Sequence, residues 1–126
     1  MKKYDEFLKD NKSKKIWNAA VYVRLSKEDG DKIESDSITS QKDILSEFVN
    51  HKDDIKISDF YIDDGWSGAN FERPAFSRMM SDIYAKKVNC VIVKDLSRFG
   101  RNYADSSRYI DDIFVKLNIR FIALNS

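Results

Sequence analysis

Apolar and polar positions alternate from Ala19 to Leu25, which places Val21, Val23 and Leu25 on one side of a strand and Tyr22, Arg24 and Ser26 on the other. A polar loop follows, from Lys27-Glu28-Asp29-Gly30 to Asp36. The period then lengthens. Ile38, Gln41, Ile44, Leu45 and Phe48 form a helical stripe within Ser37 to Val49, with Asp36 or Ser37 as its cap. Ile55 to Ile62 reads as a second strand with Phe60 and Ile62 on one face. It ends in the turn signal Asp63-Asp64-Gly65, which a flexible loop extends through Trp66-Ser67-Gly68-Ala69-Asn70. Pro74 opens a helix whose inward stripe is Phe76, Met79, Met80, Ile83 and Tyr84. Val88 to Val93 is a near-continuous apolar run, as in a central strand covered on both faces. Tyr103 to Leu117 gives a third helix, with Ile110, Ile113, Phe114 and Leu117 inward, and Ile119 to Leu124 a fourth strand.

This β-α-β-α-β-α-β alternation predicts an α/β domain, a mostly parallel sheet with helices on both faces. In such sheets functional groups collect beyond the carboxyl ends of the strands. Ser26 follows the first strand, Asp63 ends the second, and Lys94 to Arg101 follow the third, so three separate segments bring polar groups to one edge.

Composition narrows the picture. A length of 126 residues, with 42% hydrophobic and 13% aromatic content, suits one domain with a real core. Met1 to Trp17 is charged and aperiodic, a leader before a domain that starts near Asn18. The balance of 22 basic against 21 acidic residues, a net of +1, is far from that of a self-sufficient nucleic-acid binder. Cys90, the single cysteine, lies in an apolar strand and reads as a buried small hydrophobe in a reducing cytoplasm. Secretory and membrane segments are not visible.

Among candidate chemistries, Arg24 on the inner side of a strand is costly without an anionic partner, and either Asp63 at the end of the neighbouring strand or a ligand would serve. Arg73, Arg98 and Arg101 clustered with it would repel one another unless an anion collects them. A phosphodiester fits, because guanidinium forks match its oxygens. Asp63, Asp64 and Asp95 offer an alternative metal site, but adjacent arginines compete with the cation, and no metal is assigned. His51, the only histidine, lies at a helix C-terminus, and with no Gly-x-Ser-x-Gly elbow a Ser-His-Asp hydrolase is excluded. Nucleotide binding has no GxxxxGK[ST] or GxGxxG loop to support it. Trp66 and Phe71 flank the glycine loop, placed to anchor it or to touch bases.

Five segments in order resemble the catalytic domain of the serine recombinases, the resolvase and invertase superfamily, over about Ala19 to Ser126. They are Tyr22-Val-Arg24-Leu-Ser26, Ser37-Ile-Thr-Ser-Gln41, Tyr61-Ile-Asp63-Asp-Gly-Trp-Ser-Gly68, Arg73-Pro74, and Lys94-Asp-Leu-Ser-Arg98-Phe-Gly-Arg101-Asn102. The wording is most like the large serine recombinases of transposons and other mobile elements. Small resolvases commonly carry an aspartate where this chain has Ser97, so that aspartate's role does not transfer.

The resemblance implies a three-layer αβα domain with strand order 2-1-3-4. It implies that Ser26 attacks a DNA phosphodiester to give a 5′-phosphoserine link and a free 3′-hydroxyl. Arg24, Arg73, Arg98 and Arg101 would be the active-site arginines, Gln41 and Asp63 supporting residues, and Tyr22, Lys94 and Ser97 DNA contacts. The partners would be double-stranded DNA and further copies of the full-length protein as dimer and tetramer, with no cofactor, nucleotide or membrane. The proton acceptor for the serine stays open between an arginine, Asp63 and a phosphate oxygen. Because Ser126 follows directly on a strand, the chain is expected to be a catalytic core truncated before the long dimerisation helix and DNA-binding domains, inactive in recombination alone. A receiver-type signalling domain and a metal-dependent nuclease on Asp63, Asp64 and Asp95 are the competing readings.

Overall fold

Strands that are apolar on both faces must be covered on both faces, and amphipathic helices between them supply the cover. The computed structural model describes residues 15–26 and 37–125. Its strands β1 (Trp17–Leu25), β2 (Ile55–Asp64), β3 (Cys90–Asp95) and β4 (Arg120–Asn125) pair in parallel in the order β2-β1-β3-β4. This is the three-layer α/β arrangement expected from the sequence. Odd-numbered residues of β1, with Cys90 and Ile92, pack under α1 (Ile38–Asn50) through Leu45 and Val49. Even-numbered residues, with Val91 and Val93, pack under α2 (Pro74–Tyr84) through Phe76, Met79 and Ile83, and under the C-terminal helical segment through Phe114.

β2 keeps its apolar residues on the α1 side only because of a bulge. The β1–β2 register runs Ala19 opposite Ile57 and then Ala20 opposite Asp59, leaving Ser58 as an extra residue. Ile55 and Ile57 before it, and Phe60 after it, therefore all pack toward α1, although the spacing changes parity. The same slip turns Tyr61 and Asp63 to the α2 side, alongside Tyr22 and Arg24.

Several expectations need correction. Trp17, assigned to the leader, is the first residue of β1 and packs against the α1-side core; leader positions 1–14 and the polar loop through Asp36 lie outside the described residues. Ser37 caps α1, its Oγ accepting from Ser40 N at 3.1 Å. Along α1 the buried line is Gln41, Leu45 and Val49, one residue every four, so Ile44 falls on the flank. Tyr84 is 61% exposed at the end of α2.

The third predicted helix is three pieces. α4 (Tyr103–Ser107) runs into a π-helical turn (Arg108–Ile113) and then α5 (Phe114–Lys116). Phe114 N–H donates to Tyr109 O, an i to i+5 bond that brings these two rings to one face. Both rings pack on Phe99, with centroids 6.2 and 5.9 Å away. The extra residue in the turn shifts the phase beyond it, and Leu117 comes out 37% exposed rather than inward.

Cys90 is fully buried, and burial pushes its thiol up to about 12. The unfolded chain loses this proton at lower pH than the native protein does, so stability falls as pH rises from about 9 toward 12. Between pH 8 and 10.5, urea unfolding should lose about 2 kcal/mol from this group alone. In Cys90→Ala the alkaline slope should be shallower by that amount. An unchanged slope would mean that the thiol titrates freely in the native state.

Candidate active site

The winding of the sheet reverses between β1 and β3, and such a switch point leaves a crevice at the carboxyl ends of the two strands. Here the ladder joins only Ala19–Val21 to Cys90–Ile92. Beyond it, Ser26 follows β1, with 3% of its surface exposed, and α3 (Leu96–Phe99) follows β3. Asp95 caps α3, its Oδ1 accepting from Arg98 N at 3.0 Å and from Ser97 Oγ at 2.7 Å. The helix stops at Gly100, where a Cβ would stand 2.4 Å from Phe71 Cζ. That glycine answers a close approach, since its φ of 179° is extended.

Arg24 fills the crevice, fully buried. Its Nε donates to Arg98 O at 3.0 Å, Nη1 to Trp66 O at 3.0 Å and Nη2 to Ser97 O at 2.6 Å. Backbone carbonyls from two segments thus hold its guanidinium at the position where the sequence suggested Asp63. The carbonyl of Arg24 itself accepts from Gln41 Nε2 at 3.1 Å and Arg98 Nη1 at 3.3 Å. Gln41, Arg98 and the strand end leading to Ser26 are therefore one bonded unit. Gly68 makes room for it, because a Cβ there would stand 2.7 Å from Arg24 Nη2 and 3.3 Å from Arg101 Cγ. Gly68 O also accepts from Arg101 N at 2.8 Å. The loop read as flexible is thus held by arginines on both sides.

Asp63 does not pair with Arg24, although the two are opposite each other in the register. Its Oδ1 accepts from Ala75 N at 2.8 Å, and its Oδ2 from Phe76 N at 3.0 Å and Tyr22 Oη at 2.8 Å. The first residues of α2 are thus capped from β2, while the local cap position, Arg73, makes no side-chain cap bond. A carboxylate at a helix N-terminus also meets the positive end of the helix dipole. Arg73 Nη1 donates to the Tyr22 hydroxyl at 2.8 Å and Nε to Asn70 O at 2.8 Å. Its guanidinium carbon lies 4.4 Å from the Phe71 ring centroid. Arg73 is 1% exposed, yet its Nη2 has no acceptor. Burial raises the pKa of the Tyr22 hydroxyl against the opposing pull of Arg73, which keeps the phenol protonated.

The remaining candidates sit at the rim. Arg101 and Ser97 are exposed, and Lys94 is half-buried at the end of β3. Tyr22 is fully buried and lies beneath this surface. His51 Nδ1 lies 2.9 Å from Glu47 O, at the end of α1 and away from the crevice. Among the described residues no group of three His, Cys, Asp or Glu side chains is placed to hold a metal ion. Sequence reasoning missed the carbonyls of Trp66, Ser97 and Arg98 as the partners of Arg24, and the depth at which Phe71 wedges under Gly100. Gly68 and Gly100 were the available signals.

The relatives fit this geometry. A candidate DNA recombinase of Bacillus subtilis (strain 168) is 36% identical over 106 residues, which is 84% of this chain and 20% of that protein. The chain therefore spans about a fifth of this curated relative. The N-terminal catalytic domain of TP901-1 integrase superposes with a TM-score of 0.74 at 36% identity, covering 85% of this chain and 76% of that one. A resolvase family site-specific recombinase from Streptococcus pneumoniae gives a TM-score of 0.69 at 34% identity, over 87% of this chain and 72% of that one. With a family match running from residue 19 to residue 126, across every strand but the first two residues of β1, the chain belongs to the resolvase N-terminal domain family.

Proposed function

We propose that this chain carries the DNA-cleaving centre of a site-specific serine recombinase, acting in the integration or excision of a mobile element. The observation that carries the reading is the bonded unit of Arg24, Gln41 and Arg98 at the strand end two residues before the buried Ser26, with Arg24 and Arg101 both against Gly68 at the same crevice. In this mechanism Ser26 Oγ attacks the phosphorus of a DNA phosphodiester. The Oγ–P bond forms as the P–O3′ bond breaks, the serine proton is passed on, and the departing 3′-oxygen leaves as a hydroxyl. The protein is then joined to the 5′-phosphate. The ester is exchanged rather than hydrolysed, so rejoining to a new 3′-hydroxyl needs no nucleotide.

Negative charge grows on the phosphoryl oxygens in the transition state, and guanidinium groups fixed beforehand stabilise it without reorganising. Arg98 and Arg101 serve this purpose, Arg98 bonded to the carbonyl of Arg24 two residues before Ser26, with Arg73 held one layer deeper. Arg24 both contributes charge and clamps the carbonyls that shape the turn from Ser97 to Arg101. Lys94 and Ser97 at the rim are the DNA contacts. Asp63 supports the site as the cap of α2, with both carboxylate oxygens occupied. Double-stranded DNA is the substrate, and strand exchange between two duplexes calls for self-association of the full-length protein. Among the described residues no helix is long and apolar enough to cross a membrane.

The test uses the protein at its full natural length with a nicked suicide duplex, in the presence of chelator. A covalent protein–DNA adduct should form and should be absent in Ser26→Ala. An adduct that needs a divalent cation, or that persists in Ser26→Ala, would overturn the reading. Arg24→Lys should cost stability as well as cleavage, since one ammonium cannot reach three carbonyls set for a planar fork. Thermal or urea unfolding should show a loss of about 1–3 kcal/mol from the carbonyls left unbonded.

A further inference from the structure

Among the described residues, the buried cation Arg73 reaches a carboxylate only through a neutral hydroxyl. Tyr22 Oη donates to Asp63 Oδ2 at 2.8 Å and accepts from Arg73 Nη1 at 2.8 Å. The bridge is rigid at both ends. Asp63 is fixed by two backbone N–H groups of α2, and the Tyr22 ring meets Phe76 edge to face at a centroid distance of 5.8 Å. Asn70 O and the Phe71 ring hold the rest of the guanidinium. Three sides of Arg73 are thus committed, while Nη2 is buried without an acceptor. A charged N–H left unbonded in a protein interior is costly, and it marks a place where an acceptor is to arrive.

The alternative arrangement would be a direct Arg73–Asp63 salt bridge. A carboxylate accepts two parallel N–H bonds from one guanidinium, which would absorb Nη2 and quench the charge. Interposing a phenol prevents this, because a single hydroxyl oxygen cannot match two parallel N–H bonds and passes the carboxylate's influence on in weakened form. Phe71 couples the result to the crevice, since the ring stacked on Arg73 also packs on Phe99 at 5.2 Å and blocks any side chain at Gly100.

We propose that Tyr22 is a positioning residue for DNA cleavage, its hydroxyl bridging Asp63 to Arg73 so that Nη2 of Arg73 stays available to a phosphodiester oxygen. This rests on the DNA-cleaving reading above. Tyr22→Phe keeps the ring and removes the bridge. In the full-length protein with the suicide duplex at saturation, the rate of adduct formation should fall by about 10- to 100-fold, the scale of a misplaced catalytic group. Duplex affinity should stay within a factor of about three, a change of well under 1 kcal/mol. In 15N spectra of the arginine side chains, the hindered Nη signals of Arg73 should be averaged by free rotation in the variant. Val49→Ala, on the opposite face of the sheet, supplies a destabilised control that should cleave at the normal rate. A wild-type rate in Tyr22→Phe, or an equal loss in Val49→Ala, would overturn the proposal while leaving the cleavage chemistry standing. Failure of the unmodified protein to form any adduct would instead overturn the DNA-cleaving reading.

Discussion

Everything at the crevice depends on how one buried charge, the guanidinium of Arg24, is satisfied. A fully buried cation is tolerable only when its N–H groups are bonded, and here three backbone carbonyls do that work. Because the carbonyls come from Trp66 on one side and from Ser97 and Arg98 on the other, a single side chain fixes the relative placement of the segments after β2 and β3. Gln41 and Arg98 then grip the carbonyl of Arg24 itself, which fixes the strand end that presents Ser26.

A second network lies one layer down. Asp63 is spent on the first N–H groups of α2 and on a tyrosine hydroxyl. It stabilises a helix, and through Tyr22 it orients Arg73 without bonding to it directly. Phe71 mechanically joins the two networks, stacked on Arg73 and lodged against Gly100. The aromatic cluster beneath, Phe76, Phe99, Tyr109, Phe114 and Phe121, gives that wedge a stiff floor, and the π-helical turn is what brings Tyr109 and Phe114 to it together.

The layering and the edge that gathers the site were legible in the chain, because period-two and helical stripes depend on burial alone, while the strand order came from the family resemblance. Arg24, Arg98 and Gln41 bond to one another at the strand end that leads to Ser26. Three features were not legible, each for a physical reason. The bulge at Ser58 has only a parity change between Ile57 and Phe60 to announce it, and that pattern reads equally well as a strand with one irregular position. Arg24 bonds to carbonyls, which every residue carries, so no side-chain type marks them. The π-helical turn replaces a regular stripe by one shifted a single position, visible only as the outward placement of Leu117. The pairing expected between Arg24 and Asp63 followed from correct register and failed because the N-terminus of α2 competes for the same carboxylate.

These facts also bear on where the serine proton goes. As a base, Asp63 would have to accept a proton on an oxygen that already receives backbone N–H or phenol O–H bonds, uncapping α2 in the act. Tyr22 is no base either, since burial keeps its phenol protonated, and His51 lies at the far end of α1. An arginine could accept the proton only after losing one of its own. A guanidinium gives up that proton only at a high cost at neutral pH. On the proposed reading, a non-bridging oxygen of the phosphodiester would accept the serine proton without breaking any of these bonds, and the proton would leave with the 3′-oxygen.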